Sequence, residues 1–192
     1  WSFKTLYDKG LIYDGSKIMH ICPRCETTLA QSEVAQGYMD VTDISVTAKF
    51  ELFDEPGTFL LAWTTTPWTL PGNVALAISE QSEYILINNV EGDEGYSYII
   101  AKDRVEEVFK NKKYSVKQAV DAKTFLLGKK YKPVFDYFAD ADIPNKDNLH
   151  KVVAGPFVTT DSGTGIVHIA PAFGNDDYEL GRAENLPVIK HV

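Results

Sequence analysis

Apolar and polar residues change rhythm along this chain, and each change predicts a different kind of element. Over residues 1–9, Phe3, Leu6 and Tyr7 recur at helical spacing and Gly10 follows as a stop, which predicts one short helix. Residues 18–21 suffice only for a short strand running into Cys22-Pro23-Arg24-Cys25. The polar stretch behind them contains no apolar run able to build a core. Residues 1–44 are therefore expected to form a helix and a small cysteine knuckle set apart from the rest of the chain. After residue 45, Val46, Ala48, Phe50 and Leu52 alternate with polar residues, Asp54-Glu55-Pro56-Gly57 supplies turn chemistry, and Phe59-Leu60-Leu61-Ala62-Trp63 completes a hairpin signal.

Further strands are expected at 74–78, 84–87, 96–100, 132–138 and 152–158, with a buried one at 165–170. Asp103 is placed to cap a helix that carries Val105, Val108 and Phe109 on one face, and a second helix should run from Asn175 to about residue 184. Many strands with few helices predict an α+β domain over 45–192, a closed or nearly closed β-barrel decorated by helices.

Composition narrows the function classes. The chain has 192 residues, 44% hydrophobic and 12% aromatic, enough for a real core and incompatible with global disorder. Its apolar stretches at 58–63 and 165–173 fall far short of the roughly 20 residues that span a bilayer. With 19 Lys+Arg against 27 Asp+Glu the formal charge is -8, so general adhesion to nucleic acid is excluded and any such contact needs a local patch or polar groups. Two cysteines this close together are no disulfide scaffold, and they predict a reducing, cytoplasmic setting. A chain that opens on Trp1, with no basic and apolar leader behind it, reads as a piece of a longer polypeptide.

Candidate chemistry sits in two segments. In Trp63-Thr64-Thr65-Thr66-Pro67-Trp68-Thr69-Leu70-Pro71-Gly72-Asn73, the prolines forbid a continuous strand, so a strand should end here and turn, presenting several hydroxyls and an amide. Such hydroxyls orient water or a sugar hydroxyl but are poor nucleophiles without a base; the plainer reading is a threonine-rich strand end guarded by prolines. In the second segment Gly163 and Gly165 allow close backbone approach, a buried strand carries His168, and the chain turns through Pro171 and Gly174 into a helix. His168 has a plain reading as a satisfied core histidine, and Asn175, Asp176 and Asp177 as cap and first-turn acids. Set against that, a histidine and an aspartate stand at opposite ends of one strand-to-helix turn, where Asp177 could hold a substrate ammonium. The Gly-x-Gly is no dinucleotide fingerprint, since it precedes a strand. Cys22 and Cys25 make half of a tetrahedral zinc site, with His20 the further candidate nearby; a redox role lacks the βαβ context it would need.

The threonine segment, Gly163-Thr164-Gly165-Ile166-Val167-His168 and Gly174-Asn175-Asp176-Asp177-Tyr178 together resemble the editing domain inserted into the isoleucyl-tRNA synthetases. The resemblance extends over residues 1–8, 22–34 and 128–138, so it covers essentially the whole chain. Within the related enzymes it favours the isoleucyl type, because the valyl and leucyl members typically place Arg at the position of Thr66 and an acid at that of Trp68.

The resemblance implies a barrel-based hydrolase within an ATP-dependent isoleucine–tRNA ligase, removing valine from isoleucine tRNA and acting on valyl-adenylate as well. Asp177 would bind the α-ammonium, and Thr64, Thr65 and Thr66 would position the water and the terminal adenosine. His168 would close the pocket against isoleucine, with Trp68 and Asn73 shaping the same cavity. Editing itself needs no cofactor; zinc belongs to the longer parent enzymes, whose knuckle takes a second cysteine pair from beyond the insert. The partners implied are the 3′ end of isoleucine tRNA carrying valine and the rest of the synthetase chain, with no membrane. Two other classes stay open on the residues alone. One is a non-catalytic tRNA-binding module that uses the threonine loop and Lys129-Lys130-Tyr131-Lys132, and the other is a zinc or redox knuckle protein.

Overall fold

A computed structural model describes residues 1–192, which divide into two compact units, Trp1–Asp40 and Val41–Val192. In the first, helix α1 (Ser2–Asp8) ends as its spacing predicts, with Gly10 at φ +68 just beyond. Strands β1 (Ile21–Cys22) and β2 (Thr27–Thr28) pair antiparallel around the turn that holds Pro23, Arg24 and Cys25, and Glu26 closes it in a left-handed conformation. Helix α2 (Gln31–Gln36) was not expected from the polar pattern; the Glu33 carboxylate holds its start by accepting from Ala30 N at 2.7 Å. Neither helix buries a residue.

The second unit carries the core. Strands β3 (Val46–Glu51) and β4 (Thr58–Thr64) form the expected hairpin, paired from Val46–Thr64 to Glu51–Phe59. Then come β5 (Ala75–Ile78), β6 (Tyr84–Asn88), β7 (Ser97–Ala101), the short helix α3 (Val105–Val108), β8 (Ser115–Val120), β9 (Lys151–Ala154), β10 (Ile166–Ile169) and α4 (Asn175–Ala183). The sheet runs β8-β6-β7-β4-β10-β5-β9, with β3 on the far edge of β4. It is mixed: β4 is parallel to β7 at Thr58–Leu60 and to β10 at Trp63, whereas β10 and β5 are antiparallel. The sheet curls until the β3 and β9 sides are joined by a two-residue link, in which Tyr131 bridges Leu52 and Lys130 bridges Lys151. Inside the curl Phe50, Leu60, Leu76, Ile99 and Tyr131 are completely buried. Each such side chain contributes about 1.5–3 kcal/mol of burial free energy. A second cluster packs Val153 and Ile169 under Leu180 of α4, and a third packs Ile87 and Tyr98 under α3.

Where β4 changes partner from β7 to β10, the Gly163–Gly165 loop fills the fork: Ala101 N donates to Thr164 O at 3.0 Å and Arg104 Nε to Gly163 O at 3.0 Å. Both glycines have positive φ, and a Cβ on Gly163 would stand 2.7 Å from the Trp63 ring.

Two expected strands are corrected. Residues 132–138 form no strand: Pro133 removes a donor, Val134, Phe135 and Tyr137 stay exposed, and only Phe138 packs, half-buried, against the second cluster. The strand expected at 152–158 ends at Ala154, ahead of Gly155 and Pro156. Conversely β8 escapes detection by pattern because all of it but Val120 is exposed, which leaves no alternation to detect.

Candidate active site

The threonine segment does end a strand. β4 stops at Thr64, whose Oγ1 accepts from Thr66 N at 3.1 Å, and a 3-10 turn runs from Pro67 to Gly72 with Pro67 at its first position. Because residues three apart eclipse in a 3-10 turn, Thr69 comes under Thr66: its hydroxyl donates to Thr66 O at 2.7 Å, and the two Oγ1 atoms are 3.3 Å apart. Thr64 and Thr66 Oγ1 are also 3.3 Å apart. Three hydroxyls thus form one short chain.

Across from them β10 delivers His168, only 5% exposed. Its Nε2 lies 2.9 Å from Thr69 Oγ1, and its Nδ1 2.8 Å from Asn73 Nδ2. Burial drives its pKa down from 6.5 to about 4; the bond to Thr69 opposes that and the neighbouring His191 adds to it. The ring is neutral at pH 7. After β10 the chain turns through Pro171 and Gly174 into α4, and Asp177 in the first turn reaches back so that its Oδ2 accepts from Ala170 N at 2.9 Å. Gly174 leaves room for this, since a Cβ there would stand 3.1 Å from Asp177 Cγ. Burial raises the Asp177 pKa, the Ala170 N–H pulls it back, and Asp176 adds to the rise. Asp177 makes no ion pair.

These groups face one cavity of about 250 Å³, lined by Trp63, Thr64, Thr65, Thr66, Thr69, Val167, His168, Ala170, Phe173, Gly174 and Asp177. At about 30 Å³ per water it has room for a small organic group together with a water. Of the residues singled out in the sequence, Thr64, Thr65, Thr66, His168 and Asp177 come together here. Asn73 and Trp68 do not line it. Asn73 is buried behind His168, and Trp68 lies on the rim with its ring 5.3 Å from that of Phe173. His191 completes that rim, bonding Trp68 O at 3.0 Å and packing edge-on against Phe173 at 4.7 Å. Thr69 was legible in principle from its place two residues after Pro67; nothing local marks Phe173 or His191.

The other two candidate sites fare differently. Lys129 pairs with Asp54 at 3.2 Å, Lys132 with Glu51 at 2.6 Å, and Lys130 donates to Asp147 O and Leu149 O, while Tyr131 is fully buried. The expected basic patch is therefore occupied by its own neighbours. Cys22 and Cys25 are unpaired thiols, and backbone groups of Cys25 and Arg24 draw the Cys22 thiol below its usual pKa. No group of three or more His, Cys, Asp or Glu side chains stands together to hold a metal, so two thiols alone do not fit a tetrahedral zinc site, and His20 does not complete one.

Comparison with known proteins places this geometry. Residues 1–170 match the family model of class I tRNA synthetases (I, L, M and V). An isoleucine–tRNA ligase of Bacillus thuringiensis is 46% identical over 95% of this chain, and the chain spans 16% of that protein's length. Among solved structures, GlLeuRS-CP1 superposes with a TM-score of 0.57 at 18% identity, covering 72% of this chain and 59% of that one. A Plasmodium falciparum cytosolic leucyl-tRNA synthetase editing domain gives 0.50 at 15% identity, covering 67% and 47%. The curled mixed sheet with its helices is thus the editing-domain fold. No helix is long and apolar enough to cross a membrane.

Proposed function

This chain belongs to the class I tRNA synthetases, and on that footing we propose that its larger unit is an editing site which hydrolyses the ester joining valine to isoleucine tRNA. The chemical need is general: one methylene in an apolar pocket gives only about 1–3 kcal/mol of discrimination, isoleucine against valine being the well-known instance, so a second and smaller sieve is required. The observation that carries the reading is a half-buried carboxylate with no cation, Asp177, facing the same cavity as the neutral wall of His168.

A carboxylate raised by burial and left without a cation is an unfilled site for the substrate α-ammonium, whose charge-assisted bond would favour the ionised form. A charged histidine opposite would repel the same ammonium; at pH 7 His168 offers only a neutral, fixed surface against the side chain. Thr64, Thr65 and Thr66 then orient the attacking water and the terminal ribose. An aminoacyl ester is already activated, so a positioned water and a stabilised oxyanion suffice without a covalent intermediate. Valyl-adenylate, an acyl-phosphate anhydride of free adenosine monophosphate and likewise activated, is a second substrate of the same site. The parent ligase activity, the rest of the synthetase chain as partner and a cytoplasmic setting belong to the same proposal, because this chain is 16% of its relative's length. Zinc held by Cys22 and Cys25 would require ligands from outside these residues.

The non-catalytic module is the less favoured reading, because its lysines already pair with groups of the same chain. The deciding experiment incubates the purified chain with valine-charged isoleucine tRNA and with valyl-adenosine ester. Release of valine well above the spontaneous rate is expected from at least the ester; no acceleration of either, at high protein concentration, overturns the proposal.

A further inference from the structure

Behind His168 lies a directed run of hydrogen bonds that the editing reading leaves unused. Tyr131 Oη donates to Asn73 Oδ1 at 2.7 Å. Asn73 Nδ2 donates to Ala75 O at 2.9 Å and meets His168 Nδ1 at 2.8 Å, and His168 Nε2 meets Thr69 Oγ1 at 2.9 Å. All four side chains are buried.

The protons in this run can be assigned. The Tyr131 proton goes to Oδ1, which turns the amide nitrogen toward Ala75 O and His168 Nδ1. An amide NH₂ only donates, so Nδ1 is a bare acceptor. A neutral imidazole then carries its proton on Nε2 and donates it to Thr69 Oγ1, whose own proton is committed to Thr66 O. Turning the amide over would set Oδ1 against Ala75 O and leave the Tyr131 hydroxyl proton without an acceptor.

We propose that Tyr131, acting through Asn73, is a positioning residue that fixes the tautomer and ring plane of His168, and with them the size limit of the cavity it walls. The second half rests on the editing reading; the tautomer does not. Tyr131 is also half of the link between the β3 and β9 sides of the sheet, where its N donates to His150 O and its ring packs edge-on against Phe50 at 5.2 Å. The segment that seals the barrel therefore also sets the wall of the cavity. A lysine-rich stretch that reads as an RNA patch matters here through the tyrosine it carries inward.

The test uses the whole chain labelled with ¹⁵N at histidine. In the unaltered protein the long-range spectrum should show His168 with Nε2 protonated and Nδ1 bare. Tyr131→Phe keeps the ring and removes the donor that holds Oδ1, leaving Ala75 O alone to oppose the amide flip that brings Oδ1 to His168 Nδ1; the Nδ1-protonated form should therefore appear beside the original one. Asn73→Asp places an acceptor-only group beside Nδ1 and should move the proton there fully, which provides a second variant should the first fold poorly. An unchanged His168 spectrum in Tyr131→Phe, or a bare Nδ1 in Asn73→Asp, overturns the proposal. In the same Tyr131→Phe protein the preference for valyl over isoleucyl adenosine ester should fall about tenfold. A shifted tautomer with undiminished preference overturns the size-limit half. Should the unaltered chain hydrolyse neither ester, the editing reading fails while the spectrum still decides the relay.

Discussion

The two polar segments that stand out in this sequence, residues 63–73 and 129–132, end in opposite conditions. The lysines of the second are engaged by Asp54, Glu51 and backbone carbonyls. The first leaves hydroxyls facing a cavity with a carboxylate that has no counter-ion. Charge in a sequence marks where a partner could bind, but a site is made of groups whose bonding capacity the fold has not used. By that criterion the uncharged threonine loop is a stronger candidate for a site than the cationic stretch.

The sharpest way to break this contrast is to remove the unused charge alone. Asp177→Ala is a blunt choice, because it also leaves Ala170 N without its acceptor, at about 1–3 kcal/mol. Asp177→Asn keeps an oxygen for that N–H and removes the charge. Valyl-ester hydrolysis should fall about 10²–10³-fold with the cooperative melting transition preserved. A variant that hydrolyses normally would show that Asp177 braces Ala170 N and does nothing more.

Next in size is selectivity. His168→Ala enlarges the cavity on the wall side, and isoleucyl ester should then be hydrolysed, lowering valyl preference by about 10–200-fold. Unchanged preference in competition between the two esters would remove the gate from His168.

How much of this was legible depends on the range of each interaction. The hairpin, the strand ending at the threonines and the placing of His168 and Asp177 at the two ends of one strand-to-helix turn depend on neighbours within a turn or a strand, and short-range pattern reveals them. Tyr131 and Asn73 are 58 positions apart, and His191 and Trp68 are 123 apart, and no local periodicity encodes such meetings. The expected strand at 132–138 failed for a related reason: β-prone residues suggest a strand locally, but Val134, Phe135 and Tyr137 remain exposed and Pro133 removes a ladder donor.

His168 also gives the cavity a stability signature. Its folded pKa is lowered from 6.5 to about 4, so below pH 6.5 the unfolded chain takes up a proton that the folded chain refuses. Stability from this group is complete above pH 6.5 and is lost as pH falls toward 4, by about 3 kcal/mol at roughly 1.4 kcal/mol per pH unit. His150, also lowered by burial, adds a slope of the same sign, and Asp177, raised, opposes it at the acid end. Urea titrations of the unaltered chain and of His168→Gln across this range isolate the contribution: the variant should have the shallower pH dependence, and equal slopes would mean that His168 titrates normally.

The smallest effect expected is on the lysine side, and its smallness is the point. If Lys129 and Lys132 gripped RNA phosphate, each would contribute about one unit to the slope of log affinity against log salt concentration. Engaged with Asp54 and Glu51, they must first break bonds within the protein, and the carboxylates left behind would repel the same phosphates. Lys129→Ala with Lys132→Ala should therefore leave that slope unchanged for isoleucine tRNA. A slope reduced by about one unit or more would show that the two lysines exchange their internal partners for RNA, and the distinction between an unused cavity and an occupied patch would then fail on the lysine side.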